Sequence, residues 1–398
     1  MLKQALVFVG GLGTRLGERT RNMPKPLLEV AGRPFLEHLL DELTRHGTFR
    51  SIVLLAGHLA PVVERRYAGR TWRSAQIRVV SEEVPLGTGG ALAHAAGVLE
   101  SDFLLVNGDS FLDCNLLDLA TPPLGADTLV RMAVKRGHAG VRYGRAVISG
   151  HRLTRFLPPG TGGEEPINAG IYLMSRRVLG FIAPPPCALE DALARMAAQG
   201  LVEARAYDGY FVDIGSPAQF EEAQRELPKV LRRPAVFFDR DGVLNEDLGY
   251  VHRIEDLRWV PGARAAIKLA NDSGYLVFVV SNQAGVARGY YGIDAVERLH
   301  AWMHGQLAEV GAHIDAVEYC PFHEQGEVAE FRRKSDRRKP APGMLLDCMR
   351  KWPVDKSASF LIGDRPTDIA AAAAAGIPGY LFEGGDLAAF TAGRLRTR

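Results

Sequence analysis

Two consecutive series of short apolar runs, each run alternating with a helix-like pattern, constrain this chain more than any other feature. In the first series residues 5–9, 51–55, 77–80 and 103–106 read as buried strands, with helical apolar spacing over 34–46, 61–67 and 89–99. The second begins with the run 235–238 and continues with strands expected at 275–280, 314–319 and 358–362. Helical patterns at 261–271, 294–309, 342–351 and 366–375 separate them. Such alternation predicts an α/β chain in which each series builds a mostly parallel sheet flanked by helices. Open sheets of this kind bind ligands at the carboxyl ends of their strands, so the residues after each apolar run carry the chemistry. A short basic stretch bounded by Pro228 and Pro234 separates the series and suits a linker. The expected domains are 1–228 and 234–398, joined by 229–233.

A chain of 398 residues has room for two or three domains with cores of their own. Its formal net charge of +2 gives no field that would draw the molecule to nucleic acid. Local basic clusters therefore require local anions, such as substrate phosphates. Cys114, Cys187, Cys320 and Cys348 are scattered rather than spaced as a disulfide framework, the pattern of reduced thiols. The N-terminus enters a strand-like run directly, and no apolar stretch approaches the roughly 20 residues of a membrane span. A cytoplasmic protein without membrane or nucleic-acid partners is expected.

The first strand runs into Gly10, Gly11, Leu12, Gly13, Thr14 and Arg15. Clustered glycines let backbone amides approach a phosphate, and Arg15 adds a charged fork. The spacing is neither GxGxxG nor a P-loop. Pro24 and Pro26 would hold Lys25 in a fixed extended segment; a surface turn with an incidental lysine is the plain alternative. The loop at 85–90 opens a helix and offers its amides to a nucleotide. Asp109 and Asp213 close strands, positions suited to Mg2+, although single aspartates there are often caps or turn residues.

Taken in order, GGLGTRL (10–16), PKPLLEVAGRPFLEHLL (24–40), PLGTGGAL (85–92), VNGDS (106–110), INAGIYLM (167–174) and FVDIGSP (211–217) resemble the sugar-1-phosphate nucleotidylyltransferases. The likeness covers about 1–228 and is nearest to the hexose and heptose 1-phosphate guanylyl- and uridylyltransferases. It implies that a sugar 1-phosphate oxygen attacks the α-phosphorus of an NTP and pyrophosphate leaves. By position it implies that Gly10, Gly11, Gly13, Thr14 and Arg15 hold the triphosphate while Lys25 neutralises charge at the reacting centre. Gly87 and Thr88 would contact base or ribose, Asn168 and Gly170 would line the substrate site, and Asp109 and Asp213 would share Mg2+. Such a transfer needs positioning and charge neutralisation more than a covalent protein group. The chain departs from the family at the Glu-Lys pair before the INAG segment, whose lysine grips the sugar phosphate. Residues 156–166 read FLPPGTGGEEP, with no lysine. Either a nearby basic residue such as Arg155 substitutes, or sugar-phosphate binding is weak.

The second series opens on Asp239, Arg240, Asp241 and Gly242. In extended backbone Asp239 and Asp241 share a side, and the glycine permits a sharp turn; a polar strand end is the plain alternative. Other strand and helix ends carry Ser281, Asn282, Arg338, Lys339 and Asp364. A nucleophilic carboxylate, a hydroxyl, a lysine and a metal-binding aspartate are what an aspartyl-phosphate mechanism requires. DRDGVLN (239–245), SNQAGVARGYY (281–291), RKPAPGM (338–344) and IGDRPTDI (362–369) resemble the haloacid-dehalogenase (HAD) phosphohydrolases. The nearest branch holds the D,D-heptose 1,7-bisphosphate and histidinol phosphatases, and the likeness covers about 234–385. It implies Asp239 as nucleophile, Asp241 as acid and then base, and Ser281 and Lys339 on the phosphoryl oxygens. Mg2+ would lie between Asp239, Asp364 and the backbone carbonyl of Asp241. Asn282, Arg288 and Arg338 would bind substrate.

That branch carries a zinc loop whose ligand positions here hold Cys320, Phe322, Ser335 and Arg337. Zinc is therefore not expected, and His323 reads as an ordinary loop residue. Arg332, Arg333, Lys334, Arg337 and Arg338 read as a solvated basic face, with Arg338 beside Lys339 the one placed to meet a far phosphate. Together the resemblances imply a bifunctional enzyme that dephosphorylates D-glycero-D-manno-heptose 1,7-bisphosphate and then couples the 1-phosphate to a nucleotide. GTP is favoured, because transferases of this family serve the GDP-α-heptose route. The alternatives are a histidinol-phosphate or other sugar-phosphate phosphatase with an unrelated sugar nucleotidyltransferase attached, and a first domain that has lost catalysis and serves as a nucleotide- or sugar-sensing or assembly module.

Overall fold

The computed structural model describes residues 2–137, 143–157 and 163–396. The chain divides into two compact units, Met1–Val230 and Leu231–Arg398. Among the described residues no helix is long and apolar enough to cross a membrane.

In the first unit, Gln4–Phe8 lies in the interior of a ten-stranded sheet, seventh in the order. It pairs in parallel with Ser51–Ala56 and Asp102–Asn107, and Ser51–Ala56 pairs in parallel with Ala75–Ser81. The inner strands of this group are nearly continuous apolar runs, so both their faces need cover, whereas Ala75–Ser81 alternates with exposed Gln76 and Arg78. Ala5, Val7, Ile52 and Leu54 pack on one side against Leu36, Leu40 and Val63 of the helices Phe35–Thr44 and Ala60–Tyr67. Leu6, Val53 and Leu55 face the other core, with Leu92 of Gly87–His94 and Leu193 and Met196 of Leu189–Ala198. Beyond Asp102–Asn107 the direction changes: Ile167–Ser175 runs antiparallel to that strand and to Val130–Lys135. The α/β class holds, with a sheet that is parallel in its first half and mixed in its second. The helix expected at 89–99 is Gly87–His94 followed by a 3-10 turn, Ala95–Val98.

The closing helix, Pro217–Leu231, runs through Pro228 into the stretch expected to be linker. Phe220, Ala223 and Leu227 bury one face of it, and that packing offsets the single backbone hydrogen bond a proline removes from a last turn.

The second unit is a five-stranded parallel sheet in the order Ala316–Cys320, Leu276–Asn282, Ala235–Phe238, Phe360–Gly363, Gly379–Leu381. Ala235–Phe238 is central and wholly buried, with Val236 and Phe238 in one core and Ala235 and Phe237 in the other. Asp239 therefore emerges between the ends of two flanking strands, one finishing in Ser281 and Asn282, the other followed by Asp364.

Candidate active sites

The second unit gathers its polar residues at these strand ends. Lys339 Nζ lies 2.7 Å from Asp239 Oδ1 and 2.6 Å from Asp368 Oδ1, and donates to the Val280 carbonyl at 2.9 Å. Asn282 fixes the lysine backbone on both sides, its Oδ1 accepting from Lys339 N and its Nδ2 donating to Lys339 O, each at 3.1 Å. Burial lifts the Asp239 carboxyl to about 7; Lys339 opposes that rise and Asp368 adds to it. Burial alone would depress Lys339, but Asp239 and Asp368 raise it, so it stays an ammonium. Asp239, Asp364 and Asp368 bring carboxylate oxygens within 4.8 Å of one another. The buried Oδ1 of Asp364 has no hydrogen-bond partner, and that of Asp368 meets only the Lys339 ammonium. Three converging hard oxygens, two of them with unused acceptor capacity, suit a small divalent cation.

Asp368 had no assigned part in the sequence reading. It sits on the helix Pro366–Ala375, where its Oδ2 accepts from Arg365 N at 3.0 Å. Gly363 lets it approach, since a Cβ there would lie 2.2 Å from Asp368 Cβ. Gly242 serves likewise at φ +84°, where a side chain would fall 2.3 Å from Asp364 Oδ2. Asp241 was expected to reach the metal only through its backbone carbonyl, and its carboxylate has other partners. Buried Arg240 grips it through Nε and Nη2 at 2.9–3.2 Å, and Asn245 Nδ2 and Gln283 Nε2 donate at 3.0 and 3.2 Å. Gln283 Nε2 also donates to Ser281 Oγ at 2.7 Å, and its Oε1 accepts from Tyr291 at 2.8 Å. Arg240, Gln283 and Tyr291 thus hold Asp241 and Ser281 in position, roles the sequence reading did not assign.

Arg288 and Arg338 stand next to this group. Arg288 Nε and Arg338 Nη1 are buried without hydrogen-bond partners, and burial, then the charge of Arg288, depress Arg338. Burial and these two cations also hold His323 below its usual range, and its Nδ1 accepts from Gln325 N at 3.1 Å. Two neighbouring guanidiniums with unused donors have the chemistry to hold an anion. In the rest of the basic run Arg332, Arg333 and Lys334 are exposed, as expected of a solvated face, and Arg337 is partly buried. Arg333 stacks 3.8 Å over the Phe322 ring, Arg332 donates to the Gly326 and Glu327 carbonyls, and Arg337 binds Glu318 and Asp347. Charge and aromatic contacts hold this loop at the positions Phe322 and Arg337, where the resembling branch has zinc ligands.

In the first unit Gly10, Gly11, Gly87 and Thr88 line one cleft of about 400 Å³. Gly87 has φ +76°, and a Cβ there would lie 2.4 Å from the Cys187 carbonyl, so only glycine suits it. The loop amides are not all free for a ligand: Gly89 N donates to Cys187 O, and Leu86 N to Glu82 Oε2, both at 3.0 Å. Thr88 Oγ1 accepts from Leu189 N at 2.8 Å. A second group forms where the ribbon Ser110–Leu112 pairs antiparallel with Phe211–Asp213, setting Asp109 beside Asp213. Lys25 Nζ forms an ion pair with Asp109 Oδ2. Burial and Asp109 lift Asp213 to about 6, while Lys25, the Gly215 amide and Arg15 oppose the rise. Gly13, at φ +63°, packs on Thr20 and Lys25, and Thr14 beside it is exposed. Asn168 Oδ1 accepts from Gly170 N at 3.0 Å within a bulge facing Asn107. Arg155 lies exposed on Arg152–Leu157, paired with Val147. Residues 158–162 of the lysine-free stretch lie outside the described residues.

One unit therefore offers a glycine-walled cleft beside paired carboxylates and a lysine, as in a transferase of nucleotides. The other offers a buried Asp-Lys-Asp cluster, as in a phosphohydrolase. Residues 4–230 match the nucleotidyl transferase family and 336–393 the HAD-hydrolase-like family. A D-glycero-β-D-manno-heptose-1,7-bisphosphate 7-phosphatase of Rhodopseudomonas palustris is 52% identical over 159 residues, 40% of this chain and 88% of its own length. A D-glycero-D-manno-heptose-1,7-bisphosphate 7-phosphatase of Thermosynechococcus vestitus is 45% identical over 157 residues, 38% of this chain and 80% of its own. HddC from Yersinia pseudotuberculosis shares the fold of the first unit, with TM-score 0.50 and 24% identity over 57% of this chain and all of that one. So does the UTP-bound UGPase from Acinetobacter baumannii, at 0.51 and 20% over 59% of this chain and 95% of that one. The chain belongs to the nucleotidyl transferase family through its first unit and to the family of these HAD phosphatases through its second. It is an enzyme with a phosphatase and a nucleotidyltransferase half.

Proposed function

We propose that the second unit removes the 7-phosphate of D-glycero-D-manno-heptose 1,7-bisphosphate and that the first couples the resulting 1-phosphate to a nucleotide, with GTP the favoured donor. The observation that carries this reading is the pair Arg288 and Arg338, whose buried nitrogens have no hydrogen-bond partner and of which Arg338 directly precedes Lys339. Monophosphate hydrolysis needs one anion site, and a bisphosphate needs two. The heptose-bisphosphate relatives support the same substrate.

In this reading Asp239 attacks phosphorus, forming an aspartyl phosphate as the bond to the sugar oxygen breaks. Asp241 gives that oxygen its proton, then takes one from the water that attacks the aspartyl phosphate. Ser281 and Lys339 hold the phosphoryl oxygens. Mg2+ held by Asp239, Asp364 and Asp368 would neutralise phosphoryl charge. In the first unit Gly10, Gly11, Gly13, Thr14 and Arg15 hold the triphosphate, and Lys25 acts at the α-phosphorus. Asp109 and Asp213, close enough that the charge of Asp109 helps to raise Asp213, suit a second Mg2+. Asn168 and Gly170 line the sugar side.

The test is to incubate the full chain with Mg2+, either anomer of the bisphosphate, and each NTP in turn, following products by mass spectrometry. Phosphate release and one nucleotide-activated heptose are expected. No phosphate release from either anomer would refute the substrate.

A further inference from the structure

The cleft of the first unit has walls of two kinds. One is glycine backbone, where Gly10 and Gly57 meet so closely that a Cβ on Gly10 would lie 2.7 Å from Gly57 N. The other carries the carboxylates of the lining, Glu82 and Glu83, while His58 beside Gly57 is its remaining ionisable side chain. Carboxylates accept hydrogen bonds and cannot donate them, so phosphates are repelled from this end and belong toward Arg15 and Lys25. The parts of a nucleotide left to lie against the glutamates are those that donate hydrogen bonds, its base and its ribose.

Glu82 is fixed at both ends. Its N–H donates to the Ala56 carbonyl at 2.9 Å, and its Oε2 accepts from Leu86 N at 3.0 Å. That oxygen sits 3.4 Å from where a Cβ on Gly57 would be, against the glycine wall. Oε1 has no donor among the described residues. Glu83 is the more exposed of the two.

We propose that Glu82 reads the base and that the base is guanine. Guanine presents adjacent N1–H and N2–H donors, which match the two oxygens of a carboxylate. Uracil and thymine present one N–H between two carbonyls, and those oxygens repel a carboxylate. Cytosine and adenine present an amino group beside a ring acceptor. Guanine alone offers two neighbouring donors, and a bidentate contact of this kind discriminates between bases by on the order of tenfold to a hundredfold. The assignment rests on the nucleotide-transfer reading of this unit and adds its specificity.

The experiment compares the full chain with Glu82→Gln, titrating each with GTP, UTP, ATP and CTP in Mg2+ by calorimetry and measuring pyrophosphate release with heptose 1-phosphate. Glutamine keeps the shape and the acceptor for Leu86 N, but turns one acceptor into a donor. The native chain is expected to bind GTP at least about tenfold tighter than the others. The variant should lose about tenfold to a hundredfold in GTP affinity while holding or gaining UTP, which also shows that it is folded. An equal loss for all four nucleotides would place Glu82 on the ribose or loop and overturn the proposal, as would a native preference for UTP. GTP-selective binding without pyrophosphate release would uphold the base assignment and refute the transfer reading, whereas transfer from UTP would do the reverse.

Discussion

Replacing Lys339 by methionine keeps most of the aliphatic stem and removes the ammonium. That group contacts Asp239, Asp368 and the Val280 carbonyl, all within 2.9 Å. Without it two buried carboxylates face each other and a carbonyl loses its donor. Breaking a buried ion pair costs about 3–5 kcal/mol and orphaning a buried polar group about 1–3, so Lys339→Met should lose about 4–8 kcal/mol in metal-free buffer at neutral pH. A typical domain has about 5–15 kcal/mol in all, so the second unit would come close to unfolding. Adding Asp368→Asn removes one of the two facing charges and should restore part of the loss, a non-additivity that marks direct contact. Urea unfolding followed by tryptophan fluorescence reads this unit well, because Trp259, Trp302 and Trp352 lie in it and only Trp72 in the other. An unchanged urea midpoint in Lys339→Met, or further destabilisation on adding Asp368→Asn, would refute the account of the cluster.

His300 gives a pH test away from the carboxylates. Burial, then the charges of Arg240 and His304, depress it to about 3, and Arg240 Nη1 lies 3.3 Å from its Nε2. Because its folded value lies below the unfolded one near 6.5, the unfolded chain takes up the proton first as pH falls. Its neutral form thus costs nothing above 6.5 and about 2 kcal/mol of stability by pH 5. His300→Gln should flatten the fall in urea midpoint between pH 6.5 and 4.5, and an unchanged slope would count against it. Arg338→Ala should raise KM for the bisphosphate by about 10- to 100-fold, the worth of one charge-assisted contact, with little change for a sugar monophosphate; equal losses on both would remove the second anion site.

The sequence exposed those site residues that end an apolar run. Asp239, Ser281 and Asp364 follow buried strands, and Asp109 and Asp213 follow strand-like runs, so the α/β pattern alone marks them. Asp368 lacks that signal: it lies inside a helix, and only the small Gly363 and the distant Lys339 show its part. Arg240 was hidden because an arginine between two aspartates reads as solvated, whereas here it is buried and ties Asp241 to Val251 O and His300. The strands Val130–Lys135 and Val202–Tyr207 escaped an apolar reading because charged residues interrupt them. Those charges meet across the ladder, Arg131 against Glu203 at 2.8 Å, and support the pairing they obscure. The helix Pro217–Leu231 outran its proline because packing, absent from local propensity, holds its last turn.

In the proposed function one chain carries two separate active sites and the second unit acts first. Asp239→Asn tests it most directly, with phosphate release from heptose 1,7-bisphosphate and pyrophosphate release from NTP plus supplied heptose 1-phosphate measured on the same preparation. Phosphate release should vanish while pyrophosphate release continues at the native rate. Loss of both, or survival of phosphate release, would contradict it.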